Sequence, residues 1–199
     1  MTKENYSKFI EDNWGTIMKI ALDASELHDV ICNQKYDDKN LFSYHLGMVA
    51  RYAIDYGHTV CFEERHVLPI VFAAYFHDSI EDARLSYNDV FNYAGKYMDN
   101  SQANVAAEIV YALTNEKGRT RAERENDKYY DGIRCTLYAP FVKWCDRIAN
   151  YKHAVELNNS RMIKMYNKEM PKFFKGIGYN KFISQELCNM LSEMVETTK

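Results

Sequence analysis

An all-α fold, one domain of about nine or ten helices, is what this sequence predicts, and three observations carry that expectation. Apolar residues recur at three- and four-residue spacing along nearly all of the 199-residue chain. Only eight glycines and three prolines are present, too few for the many tight turns of a β-sandwich or barrel. The apolar fraction of 47% and the aromatic fraction of 14% belong to a chain that builds a core, and the length suffices for one sizeable domain.

The elements follow in order. Ile10, Trp14, Ile17 and Ala21 share one helical face before Asp23. A short second helix is expected over 24–34, ending near Asn33, and Asp37-Asp38-Lys39-Asn40 reads as a polar loop. A helix over 43–56 closes at Gly57. Residues 65–78 are the most apolar segment, with Val67, Leu68, Ile70, Val71, Phe72, Ala73, Ala74 and Phe76; a helix apolar on most sides is a central one. Ser86, with Asp89 three residues on, is an N-cap for a helix reaching 97. Asn100 or Ser101 starts the next, which runs to Leu113. Lys117-Gly118-Arg119-Thr120-Arg121 is a basic segment ahead of a charged helix over 122–133. Pro140 suits the first turn of a helix continuing to 155. Two amphipathic helices, over 159–174 and 180–196, lie on either side of the Gly176/Gly178 break. No repeat, low-complexity tract or linker divides the chain, so 1–199 reads as one domain.

Net charge is −3 with both signs interspersed, which argues against a duplex nucleic acid partner. Five cysteines, at 32, 61, 135, 145 and 188, form no CxxC pair and read as free thiols of a reducing cytosol. No signal peptide is expected at the N-terminus, and no run approaches the roughly 20 apolar residues of a membrane span. The expectation is a soluble, cytoplasmic protein.

Ionisable residues in apolar helices carry the chemistry. His77 and Asp78 end the most apolar helix. Asp146 sits among Phe141, Val142, Trp144, Cys145, Ile148 and Ala149, and His45 begins the helix bearing Leu46, Met48 and Val49. Taken singly, each is as well explained by an ordinary polar pair, such as Asp146 with Lys143 or Arg147. Together they present two imidazoles and two carboxylates on core helices, where unpartnered burial costs several kcal/mol. A shared divalent cation is the economical explanation. The absence of thiolates disfavours a cysteine-rich structural zinc site. Mixed N/O ligation suits Mn²⁺, Fe²⁺, Co²⁺, Ni²⁺ or Zn²⁺, an ion that acidifies bound water and polarises a phosphoryl oxygen. Glu81 and Asp82 follow His77 and Asp78 by four residues, either on the same helical face as a proton-handling pair or as a solvated acidic loop. Lys117, Arg119, Arg121 and Arg124 are either phosphate-binding cations or a solvated face.

The order His45, His77-Asp78, Asp146 resembles the H…HD…D signature of the HD-domain phosphohydrolases. It is most similar to the hydrolase domain of RelA/SpoT-type proteins and their small stand-alone relatives. The resemblance covers about residues 20–155. It rests on His77-Asp78-Ser79-Ile80-Glu81-Asp82-Ala83, on Lys143-Trp144-Cys145-Asp146-Arg147-Ile148-Ala149-Asn150, and on Gln34 and Phe42 before and after the polar loop. It implies a helical HD-domain bundle. It also implies an Mn²⁺-dependent enzyme that removes the 3′-pyrophosphate of guanosine 3′,5′-bis(diphosphate) with metal-activated water. By the same resemblance, His45, His77, Asp78 and Asp146 are metal ligands, Glu81 and Asp82 position and activate the water, and Asn150 contacts the nucleotide. Where that family carries an Arg-Lys pair on the guanosine nucleotide, this chain has Tyr36-Asp37, with Lys35 one position away as the remaining candidate contact. The segment between His45 and His77 is also several residues longer. Hydrolysis of another nucleotide (a deoxynucleotide, or a 3′-phosphorylated or cyclic one) is therefore the alternative, and a non-catalytic nucleotide-binding module is a third reading.

Overall fold

The computed structural model describes residues 1–178 and 181–198. Helices account for 73% of the chain, and no strand occurs among the described residues; the fold is all-α. A lone bridge, Lys35 with Leu41, pinches the polar loop before the third helix.

Eleven α-helices are present among the described residues: α1 (Lys3–Asp12), α2 (Trp14–Ser25), α3 (Phe42–Tyr56), α4 (Val67–Phe76), α5 (Tyr87–Ala94), α6 (Asn100–Leu113), α7 (Arg121–Arg124), α8 (Asp127–Cys135), α9 (Ala139–Glu156), α10 (Ser160–Ile177) and α11 (Gln185–Thr197). The count exceeds nine or ten because two expected helices are broken. Asn13 separates α1 from α2, its side chain donating back to the Phe9 carbonyl. The charged 122–133 helix is divided at Glu125, after which Asn126 caps α8 by accepting from the Tyr129 amide. The short helix expected over 24–34 is instead the end of α2 followed by a π-helix, Glu26–Ile31. Caps explain several boundaries: Ser86 and Asp89 form a reciprocal capping box on α5, and Asp99 with Gln102 does the same on α6. The final helix begins only at Gln185, capped by Ser184; its expected start at 180 lies outside the described residues.

The apolar 67–76 segment is, as its composition requires, the central helix, with all but Tyr75 buried. Helices α1, α2, α3, α5, α6 and α9 pack around it. Helix α9 is the second axis, buried along most of its length and touched by α3, α4, α6, α8, α10 and α11. Glycine is required at position 57, where α3 ends, because a Cβ there would run into the Tyr6 ring, whose hydroxyl donates to the Ala53 carbonyl. All five cysteines are free thiols. No described helix is long and apolar enough to cross a membrane.

Candidate metal centre

Helices α3, α4 and α9 touch pairwise, and each brings a polar group to their junction. His45 comes from the first turn of α3, His77 and Asp78 from the end of α4, and Asp146 from the middle of α9. Both histidines and Asp146 are buried, while the Asp78 side chain keeps 27% of its surface exposed. His45 Nε2 lies 3.2 Å from His77 Nε2. Asp78 Oδ2 is 3.1 Å from His77 Nε2 and 3.6 Å from His45 Nε2; Asp146 Oδ1 is 3.4 Å from His45 Nε2 and 3.7 Å from His77 Nε2. One donor atom each from His45, His77 and Asp146 falls within 4.8 Å of the others.

Two features show that this set fits a divalent ion. The Nδ1 of His77 lies 2.9 Å from the Ala74 carbonyl, which only accepts, so a proton sits on Nδ1, and it is Nε2 that would give up its proton to offer a lone pair to an ion in the cluster. The charge pattern also calls for a cation. Burial alone would lower the His77 pKa, yet the facing carboxylates of Asp78 and Asp146 outweigh it and hold the ring at about 10. Burial likewise opposes ionisation of Asp78, but the His77 and His45 charges keep it well below the usual carboxylate range. Asp146 behaves the same way, with Lys143 as its strongest partner. The site thus attracts positive charge to the point where two Nε2 atoms meet, and a divalent ion could supply it in place of protons. Buried His45, His77 and Asp146, with Asp78 beside them, could hold such an ion.

His45, Asp78 and Asp146 of the cluster line a cavity of about 210 Å³, whose wall also includes Tyr36, Phe42, Asn115, Arg121, Lys143 and Asn150. Glu81 and Asp82 stand on its rim. The chain makes one more helical turn beyond α4, the Asp82 amide donating to the Asp78 carbonyl at 2.8 Å, and this brings both carboxylates to the cavity side. Partial burial, then the Asp78 and Glu81 charges, push Asp82 up to about 6. Glu81 is held by Asn115 Nδ2 at 2.8 Å.

The other expected contacts divide. Asn150 and Arg121 line the cavity, whereas Lys35 and Arg119 do not. Asn150 is already engaged: its Oδ1 accepts from the Tyr36 hydroxyl at 2.8 Å, and its amide nitrogen donates to Asp146. Tyr36 itself stacks on His45 with ring centroids 4.8 Å apart and planes 13° from parallel. Asp37 turns away to accept from the Lys39 and Asn40 amides, with His153 Nε2 at 2.8 Å. Lys143 enters the site beside the expected residues. Its Nζ lies 2.9 Å from Asp146 Oδ2, and although burial opposes its charge, Asp146 keeps it protonated. Its place three residues before Asp146 was the one signal in the sequence for that role. Arg121 bridges Glu125, four residues on, at 3.1 Å and Glu169 at 2.9 Å, and only the second is a partner that no local spacing announces.

No family model matches the chain, and no curated protein is significantly similar to it. Fold and site together define an all-α protein with a buried His/His/Asp donor group open to a polar cavity.

Proposed function

We propose that the protein is a metal-dependent phosphohydrolase of the HD type, acting on a nucleotide. The observation that carries this reading is the convergence of His45, His77, Asp78 and Asp146 on one point, with Glu81 and Asp82 on the rim of the same cavity. A divalent ion held by those four residues, Mn²⁺ first among the candidates, supplies Lewis acidity toward a phosphoryl oxygen and acidifies water.

The chain's own groups do the rest. Asp82, with its pKa pushed up to about 6, takes the proton of the attacking water at its carboxylate near neutral pH. Asn115 fixes the Glu81 carboxylate beside it to orient that water. Lys143 fixes Asp146 and adds positive charge to the cavity wall, where phosphoryl oxygens gather charge. Arg121 lines the same wall and, once released from Glu125 or Glu169, binds the remaining phosphate.

Guanosine 3′,5′-bis(diphosphate), hydrolysed at the 3′-pyrophosphate, is the first substrate to test. A different nucleotide is the second reading. It is favoured by the Tyr36 hydroxyl occupying Asn150 and by Lys35 and Arg119 standing outside the cavity lining. The test is a nucleotide panel assayed with Mn²⁺, Fe²⁺, Co²⁺, Ni²⁺ and Zn²⁺, comparing wild type with His77→Ala. The expected outcome is phosphate, pyrophosphate or triphosphate release by wild type alone. No product from any nucleotide with any of these ions refutes the reading.

A further inference from the structure

Between α2 and α3 the backbone widens into the π-helix Glu26–Ile31. Such turns are rare and are found frequently at functional sites. Leu27 and His28 are buried there, His28 with none of its surface exposed. Its ring stacks on Phe42 at 4.8 Å and 11°, and Phe42 packs edge-on against His45 at 5.8 Å and 74°. His28 Nδ1 lies 2.6 Å from Gln34 Oε1. That amide oxygen only accepts, so the imidazole proton is on Nδ1. The Gln34 amide also donates to the His28 carbonyl at 2.9 Å, so the two residues are joined twice. With its oxygen held by His28, Gln34 aims its Nε2 at the backbone carbonyl of Asp82 and donates at 2.7 Å across 48 residues of sequence.

We propose that His28 and Gln34 are positioning residues that fix the turn carrying Glu81 and Asp82 against the metal centre. The catalytic consequence rests on the hydrolase reading above; the structural link does not. The Asp82 carbonyl belongs to the residue whose carboxylate handles the proton, so holding it sets the direction of that side chain. Asn115 holds Glu81 from the opposite wall, and the turn is gripped from both sides. Through Phe42, the same histidine also buttresses the ring of His45. A misplacement of about 1 Å at such a group lowers turnover by up to roughly a hundredfold.

Three variants separate the parts. Gln34→Leu removes both side-chain bonds. Gln34→Glu is isosteric and still accepts from His28, but cannot donate to the Asp82 carbonyl. His28→Phe keeps the stack on Phe42 and loses the Nδ1 donor. Two readouts are used: kinetics with Mn²⁺ on whichever nucleotide the wild type hydrolyses, and amide hydrogen exchange of 79–85. That segment contains the Asp82 and Leu85 amides, which bond the Asp78 and Ser79 carbonyls. Gln34→Leu and Gln34→Glu are expected to lower kcat by about ten- to a hundredfold. KM and Mn²⁺ affinity should stay within about twofold of wild type, with faster exchange confined to 79–85. His28→Phe is expected to move both readouts in the same direction by a smaller factor. Unchanged kcat and exchange in Gln34→Glu overturn the proposal, as does an equal acceleration of exchange throughout the protein. If no nucleotide is turned over by wild type, the hydrolase reading fails, and the exchange of 79–85 alone decides whether this link exists.

Discussion

Asp146 and Arg147 are neighbours on α9, yet the buried polar clusters they join handle charge in different ways. Arg147 belongs to a closed ring. Its Nη1 lies 2.8 Å from Glu169, Glu169 lies 2.9 Å from Arg121, Arg121 lies 3.1 Å from Glu125, and Glu125 returns to Arg147 at 4.0 Å. Cations and carboxylates alternate, two of each, so the ring is neutral. The guanidinium of Arg147 further sits over Tyr166 and Phe173 at 5.3 and 4.8 Å. Asp146 belongs to a cluster that does not close. Two imidazole nitrogens face each other at 3.2 Å between two carboxylates, and Lys143 pairs with Asp146. The ring is complete in itself, whereas the cluster is complete only with added protons or an added cation. Burial of charge is common to both; only the second kind of incompleteness points to a ligand.

The largest effect is expected at Arg147. Arg147→Met leaves Glu125 and Glu169 facing each other with Arg121 alone, and is expected to destabilise the protein by about 3–5 kcal/mol in denaturant titrations. Added Mn²⁺ should not restore that loss beyond what it contributes to wild type. Replacing Glu125 and Glu169 by apolar residues in the same chain should recover part of it.

A smaller effect is expected at Lys143. In chelated protein, Lys143→Met removes the cation of Asp146 and costs about 1–3 kcal/mol. With Mn²⁺ present the loss should shrink, because an ion at the cluster compensates the same carboxylate. A loss of equal size with and without metal would place Lys143 with the structural ring instead.

A third effect is expected on the pH dependence of the chelated protein. The His77 pKa is raised from its ordinary 6.5 to about 10, so its contribution to stability is fully present below about pH 6.5 and is lost as pH rises toward 10. His45 is shifted in the same direction. Thermal midpoints in chelator should therefore fall between pH 6.5 and 10, by roughly 2–4 °C for each kcal/mol lost. Bound metal should flatten that decline by taking the place of the protons.

How much of this was legible in the sequence follows the range of each interaction. The central helix shows in a ten-residue apolar run, and the cluster shows because ionisable side chains interrupt such runs at His77, Asp78 and Asp146. The reach of Glu81 and Asp82 into the cavity follows from four-residue spacing once the helical turn continues past α4. The ring shows only in part: Arg121 and Glu125 stand four residues apart, but Arg147 and Glu169 join them only through packing against α9 and α10. The Asp37–His153 contact, which spans 116 residues, does not show. The π-helix is hidden for another reason: a single wide turn leaves no periodic trace in six residues. The two broken helices were missed because side-chain bonds at Asn13 and Asn126 compete locally with helix continuation.

Calorimetric titration of Mn²⁺ into chelator-stripped protein tests most directly whether the open cluster is a metal site. One ion per chain is expected, with release of protons, and affinity reduced by more than about a hundredfold in His77→Ala, since removal of a ligand should exceed the 10–100-fold effect of losing a ligand's supporting partner. No binding of Mn²⁺ by the wild type, or equal binding by His77→Ala, would contradict a metal site there.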